Sequence, residues 1–303
     1  MKPKIVLPGG SGFLGKSTAE YFFNKGYSVI ILTRGKSVKT TNAEYVNWDG
    51  KSLGEWTKHI EGAEAVINFT GKSVNCIYTP ENKKEIIDSR IDSVKIVADV
   101  IKHAKKPPEV LIQSASLAIY GDTIDVCSEN APHGSGFSVN VCELWEKEFF
   151  KENLPGTRKI LLRIGFVLGR NGGALETLSK LTRRYLGGAI ASGEQFISWL
   201  HIEDLNRMFE FIIENKKSSG IYNATGTTPA KNKDFMKSLR KALHKPWSPP
   251  VPIFAVKIGA RFFMKTDSSL ALTGRNCIPA KFLKEGFKFN YTNLETALEN
   301  TVR

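Results

Sequence analysis

The first half of the chain alternates short apolar, β-branched runs with stretches whose apolar residues recur every three or four positions. "KIVLPGG" (4–10) predicts a strand running into glycines, "GKSTAEYFFNKGY" (15–27) a helix ended by Gly26, and "SVIILTRG" (28–35) a second strand. "AEAVINFTG" (63–71) reads as a strand, "IDSVKIVADVIKHA" (91–104) as a helix stopped by Pro107 and Pro108, and "EVLIQSAS" (109–116) as another strand. Strand and helix in repeated alternation imply a parallel sheet with helices on both faces. Further on, "RKILLRIGFVLG" (158–169) and "GIYNATG" (220–226) are strand-like, and the helix "HIEDLNRMFEFIIENKK" lies between them. From about residue 226 the pattern changes to a helix opened by "TTPAKNKDF" and the proline-rich "KPWSPPVPIF". The expected architecture is α/β: a Rossmann-type doubly wound parallel sheet (1–169 and 198–225) with a smaller, mostly helical, substrate-side lobe (170–197 and 226–303).

Composition changes this picture little. With 303 residues and 41% hydrophobic content the chain can bury a sizeable core. No apolar run is long enough for a signal peptide or a membrane span, so a cytoplasmic protein with no membrane association is expected. Cys76, Cys127, Cys142 and Cys277 form no C-x-x-C pair, and the five histidines have no ligand spacing, so no metal is expected. The net charge of +13 raises nucleic-acid binding. The densest basic run (231–245), however, spaces Phe235, Leu239 and Leu243 by four, as a helix with a solvated basic face does, and nucleic acid is not the expected partner. The same field would attract a phosphorylated small molecule.

Candidate chemistry begins at "GGSGFLG" (9–15), between the first strand and helix. Gly9 suits the tight turn, Gly12 a close approach to a pyrophosphate, and Gly15 close helix-on-strand packing, with helix N–H groups facing the phosphates. An NAD-preferring site usually keeps a carboxylate at the end of the second strand, where this chain has Thr33 and Arg34. Arg34 can pair with a 2′-phosphate, so NADP(H) is expected in preference to NAD(H); the bland reading is a surface charge at a strand end.

"GGSGFLG", "INFTG" (67–71), "SASLAIYGD" (114–122), "LLRIGFVLG" (161–169) and "WLHIEDL" (199–205) together resemble the extended short-chain dehydrogenase/reductase superfamily. "VNWDG" (46–50), "IIDSRIDS" (86–93), "GGAIASGEQFISWLHIEDL" (187–205) and "IPAKFLKEGFKF" (278–289) narrow the resemblance to its atypical epimerase-family branch (NAD-dependent epimerase/dehydratase-like), which carries a small C-terminal domain of unknown function. By matching position the resemblance implies cofactor contacts from Gly9, Gly12, Phe13, Leu14, Arg34, Asn68, Thr70, Gly71, Arg90 and Ser114, and a reacting group facing Ser116. It also implies a Tyr-x-x-x-Lys pair on the next helix, the tyrosine moving a proton and the lysine lowering its pKa. "GFSVNVCELWEKEF" (136–149) puts Ser138 and Cys142 in those places or, with a shift of one residue, Phe137 and Val141, so the pair is absent either way. Relatives that take nucleotide sugars keep an arginine where Ile197 stands, which points to a smaller or more apolar substrate.

Each remaining candidate has a bland reading. Ser116 could polarise a carbonyl or simply end a strand. Tyr120 could replace the missing acid or pack under its loop. Cys142 falls on one stripe with Val139, Trp145 and Phe149, which describes core. His201 fits helix capping better than acid–base work, and Arg163 either faces the cleft or pairs with a carboxylate. Two functions stand: an NADP(H)-dependent oxidoreductase or epimerase-like enzyme on a small carbonyl or alcohol, and a non-catalytic NADP(H)-binding sensor or scaffold. Similar extended proteins often pair as homodimers.

Overall fold

The computed structural model describes residues 2–170 and 172–302. The first half contains β1 (Lys4–Pro8), α1 (Phe13–Asn24), β2 (Ser28–Thr33), β3 (Val38–Lys39), β4 (Glu44–Asn47), β5 (Ala65–Asn68), α2 (Pro80–His103), β6 (Val110–Ser116), β7 (Thr123–Cys127) and α3 (Phe137–Lys151). There follow β8 (Arg158–Ile164), β9 (Phe166–Leu168), α4 (Gly173–Arg183), β10 (Phe196–Ile197), β11 (Trp199–His201), α5 (Ile202–Glu214) and β12 (Gly220–Ala224). The last part holds β13 (Ala230–Lys231), α6 (Asn232–Ala242), α7 (Ile253–Ile258), α8 (Ser269–Leu272), β14 (Arg275–Cys277), α9 (Ala280–Lys284) and α10 (Leu294–Val302).

Eight strands form the main sheet in the order β12-β8-β6-β5-β1-β2-β4-β3, all parallel except the edge strand β3. The sheet is the doubly wound one that the alternation predicts. Ile5 lies between Val29 of β2 and Ala65 of β5, so β1 is central and the strand order reverses beside it. Ligand crevices of such sheets open at this reversal, outside the carboxyl ends of the strands. Alternate side chains of one strand fill two cores. Ile5, Leu7, Ile31 and Ile67 pack with α1 and α5, while Val6, Ile30, Leu32 and Val66 pack with α2 and α3.

Two elements depart from the sequence reading. The run 158–169 is two strands: after Ile164 the Phe166 N–H donates to the Ser198 carbonyl (2.8 Å), and Gly165 passes so close to that carbonyl that a Cβ would sit 2.3 Å from it. β9 therefore leaves the main sheet and pairs in parallel with β11. Helix α2 begins at Pro80, well before Ile91: Thr79 caps it by accepting from the Asn82 N–H, and Pro80 suits the first turn. A further core of Leu175, Phe235, Leu239 and Leu298 gathers α4, α6 and α10 over Leu168 and Trp199. Asp204, fully buried at the start of α5, joins this region to the sheet by accepting from the Asn290 and Tyr291 N–H groups and from Arg207.

Candidate functional site

The glycine loop crosses the carboxyl end of β1 with three different constraints. Gly9 has φ +69°, and a Cβ there would lie 2.7 Å from Thr70 Cα. Gly15 is held against the loop itself, a Cβ falling 2.3 Å from Gly10 Cα, so it packs helix on loop rather than helix on strand. Gly12 is exposed, and a Cβ on it would meet nothing within 4 Å. It is also the residue before α1, whose first turn has neither a side-chain cap nor an acidic residue. Those N–H groups face an open surface with partial positive charge, as an anion requires.

The loop after β5 forms the opposite wall. Asn68 is wholly buried, and its side chain is spent inside the protein: Nδ2 donates to Gln113 (3.0 Å) and Ser93 (3.4 Å), and Oδ1 accepts from the Thr70 N–H (3.0 Å). It therefore shapes the turn rather than reaching into the crevice. Thr70 Oγ1 is buried and makes no hydrogen bond. Gly71 passes over Arg90, which donates from Nη1 to the Lys72 and Ile86 carbonyls and lies with Cζ 4.9 Å from the Trp145 ring centroid.

Phe13 and Leu14 are half-buried on the sheet side of α1. Arg34 is exposed just beyond β2, and its backbone carbonyl and that of Gly35 accept from Asn47 Nδ2. Thr33 donates to Ser11 Oγ (3.0 Å), bringing the two loops together at the rim. No carboxylate pairs with the Arg34 guanidinium among the described residues.

At the end of β6, Ser114 Oγ is buried without a hydrogen bond. Ser116 Oγ accepts from the Ala118 N–H (3.1 Å), which leaves its own proton free to donate. Helix α3 runs beside this strand end, with Cys142 Sγ 3.9 Å from the Ser116 carbonyl. Ser138 and Cys142 thus occupy the side of α3 next to the serine strand. Burial, with Glu146 nearby, pushes the Cys142 thiol up to about 12, and Val139, Trp145 and Phe149 are buried on the same stripe.

Tyr78, which the sequence reading missed, and Arg90, which it named only as a cofactor contact, stand beside the vacated pair. Tyr78, from the loop leading into α2, packs edge-on against Phe137 (4.9 Å between centroids). Its hydroxyl is buried without a hydrogen bond of good geometry, the Ser138 hydroxyl standing beside it. Burial pushes its pKa up; Ser138 and the Arg90 charge act the other way. Arg90 also faces Cys142, so a tyrosine and a cation reach the two empty positions from another helix and its lead-in loop. Nothing in the local sequence at Tyr78 signals this, because the approach is tertiary.

Tyr120, Arg163 and His201 resolve into structural roles. Tyr120 donates to Asn223 Oδ1 (2.8 Å) and accepts from Arg163 Nη1 (2.6 Å), and burial pushes its pKa up to about 12. A phenol so engaged does not serve the crevice. Arg163 forms a bidentate pair with buried Glu146, both bonds 2.8 Å. Burial opposes its charge, but the Glu146 bonds prevail and raise its pKa. His201 caps α5 by accepting from the Glu203 N–H and stacks on Tyr291 at 3.7 Å, with burial lowering its pKa. No cluster that could hold a metal occurs among the described residues.

Residues 5–225 match the NAD dependent epimerase/dehydratase family, and residues 251–301 match a domain of unknown function, DUF1731. Epimerase family protein YfhF of Bacillus subtilis is 32% identical over 303 residues, covering 98% of this chain and 97% of the relative. A chloroplastic homolog of epimerase family protein SDR39U1 from Arabidopsis thaliana is 30% identical, covering 97% and 85%. The crystal structure of human epimerase family protein SDR39U1 (isoform 2) with NADPH superposes with a TM-score of 0.87 at 26% identity, covering 98% of each chain.

Proposed function

The chain belongs to the NAD-dependent epimerase/dehydratase family, and from that premise we propose that it is an NADP(H)-dependent oxidoreductase or epimerase-like enzyme acting on a small carbonyl or alcohol. One observation carries the reading. Three buried hydroxyls without a hydrogen bond of good geometry, Thr70, Ser114 and Tyr78, sit on loops and a strand end around the crevice opposite the uncapped start of α1. An unpaired buried hydroxyl costs about 1–3 kcal/mol, so three together suit a site shaped for a polar ligand. The NADPH in the human relative supports the choice of nucleotide.

The residues divide the work by position. Gly9 and Gly12 let the backbone approach a pyrophosphate, and the first turn of α1 donates to it. Arg34, beside Ser11 and Thr33, would take a 2′-phosphate. Arg90, held by two carbonyls, presents a positive charge near the crevice floor. When bound, the dinucleotide supplies hydride exchange with a substrate carbon. Ser116 would donate its free proton to the substrate oxygen, and Tyr78 would exchange a proton with that oxygen in place of the missing helical tyrosine.

The absence of Tyr-x-x-x-Lys favours a second reading, a non-catalytic NADP(H)-binding sensor or scaffold. Purified protein titrated with NADPH and NADH, then followed by NADPH absorbance against aldehydes, ketones and quinones, separates the two. Steady oxidation lost in Ser116→Ala supports the enzyme. NADPH binding with indifference to every carbonyl supports the sensor, and no binding below about millimolar rejects both.

A further inference from the structure

Between Asp234 and Asp267 the sequence has no acidic residue but seven lysines and arginines. The same stretch exposes some of the largest apolar side chains of the molecule: Trp247, Phe254 and Phe262 are 65%, 67% and 68% exposed, and Ile253, Ile258 and Met264 are exposed as well. Helix α7 buries none of its residues. Helix α7 exposes Ile253, Phe254 and Ile258 with Lys257 among them, a π-helical turn follows with exposed Arg261 and Phe262, and exposed Met264 and Lys265 lie just beyond it, so apolar and cationic side chains are interleaved on one short segment. No carboxylate pairs with these three cations among the described residues.

The face extends beyond the helix. Val251 exchanges backbone hydrogen bonds with Ala189 and Ala191, which brings exposed Tyr185 and Leu186 alongside, and Lys245 Nζ lies 4.4 Å from the Tyr185 ring centroid. Arg183 and Arg184 are exposed on the same turn. Scattered single apolar residues need no explanation, but this grouping of aromatic, aliphatic and cationic side chains does.

We infer that this face docks on an anionic phospholipid bilayer, with the exposed apolar side chains in the headgroup–acyl boundary and Lys257, Arg261 and Lys265 against lipid phosphates. The interface of a bilayer suits aromatic and long aliphatic side chains flanked by cations, and no spanning helix is required. The expectation of no membrane rested only on the lack of a spanning run; among the described residues no helix could cross one. A second copy of the chain would bring the same cations face to face. Nucleic acid would match the charge but leave Ile253, Ile258 and Met264 without a partner.

Sedimentation of the full chain with vesicles of phosphatidylglycerol and phosphatidylcholine, against phosphatidylcholine alone, tests the inference. Expected is binding to the anionic vesicles only, weakened by salt and at least tenfold by either F254S/F262S or K257S/R261S, both with the wild-type melting temperature. All these positions are exposed, and if one pair lowers that temperature the other carries the comparison. Failure to sediment, or binding that the folded variants leave unchanged, overturns it. So does a concentration-dependent dimer that F254S/F262S dissociates, or a nucleic-acid duplex bound more tightly than the vesicles.

Discussion

The Phe13 ring fills the space under Gly172: a Cβ on Gly172 would lie 2.4 Å from Phe13 Cδ2, and one on Gly169 would lie 2.5 Å from Phe13 Cζ. Gly172 is extended, at φ 176°, so any residue could adopt its backbone and the constraint is steric alone. Gly172→Ala should displace the ring and destabilise the protein by about 1–3 kcal/mol, the usual cost of overpacking. Urea denaturation checks this, and Phe13→Leu should restore part of the loss. Because Phe13 follows Gly12 at the start of α1, the same variant should weaken dinucleotide binding, read by titration.

Arg34 is exposed just beyond β2, and among the described residues it has no acidic partner. Arg34→Ala should weaken NADPH by roughly tenfold or more, the scale of a charged hydrogen bond, and leave NADH nearly unchanged. Isothermal titration with both nucleotides measures it; equal weakening would show that Arg34 does not read a 2′-phosphate.

Periodicity was enough for β1, α1, β2, β5, β6 and α5, because each is either fully buried or two-sided and its apolar pattern states which. The turn at Gly9 and the open helix start after Gly12 were legible for a similar reason, since the glycines lie between a strand and a helix. The break at Gly165 was not legible, because it depends on the Ser198 carbonyl more than thirty positions away. Likewise, Asn68 and Tyr120 sit in motifs that suggest contact with a ligand, yet their polar atoms are consumed by Gln113, Ser93, Asn223 and Arg163. Tyr78 shows the reverse: an unremarkable loop residue whose place is set by Phe137 and Ser138.

The buried thiols predict an alkaline limit. Burial pushes Cys142 and Cys277 up to about 12, from about 9 when unfolded, so the folded state favours the protonated form. That contribution is fully present below pH 9 and is lost as pH rises towards 12. The melting temperature should fall steadily across that window. Cys142→Ala should flatten part of the decline, and in the folded state Cys142 should resist alkylation at neutral pH.

Breaking the Arg163–Glu146 pair gives a stability test separate from chemistry. Arg163→Met leaves the Glu146 carboxylate buried without its bidentate partner and Tyr120 without its donor. The expected loss is about 3–5 kcal/mol, measured by urea denaturation, where a surface pair would give under 1.

Tyr78 and Tyr120 can then be told apart by the same atom deletion. Tyr120→Phe removes one member of a satisfied buried network, leaving Asn223 Oδ1 without its donor and Arg163 Nη1 with only the Glu129 carbonyl, so it should cost about 1–3 kcal/mol of stability with turnover preserved. Tyr78→Phe removes a hydroxyl with no hydrogen bond of good geometry and only the Ser138 hydroxyl beside it, so stability should change by less than about 1 kcal/mol. If Tyr78 exchanges the substrate proton, its turnover should fall by about 10²–10⁴, the usual share of general acid–base help, with NADPH binding unchanged. Single-turnover NADPH oxidation, once a carbonyl substrate is in hand, gives the rate. Full turnover in Tyr78→Phe would leave proton transfer to Ser116 or to the substrate itself.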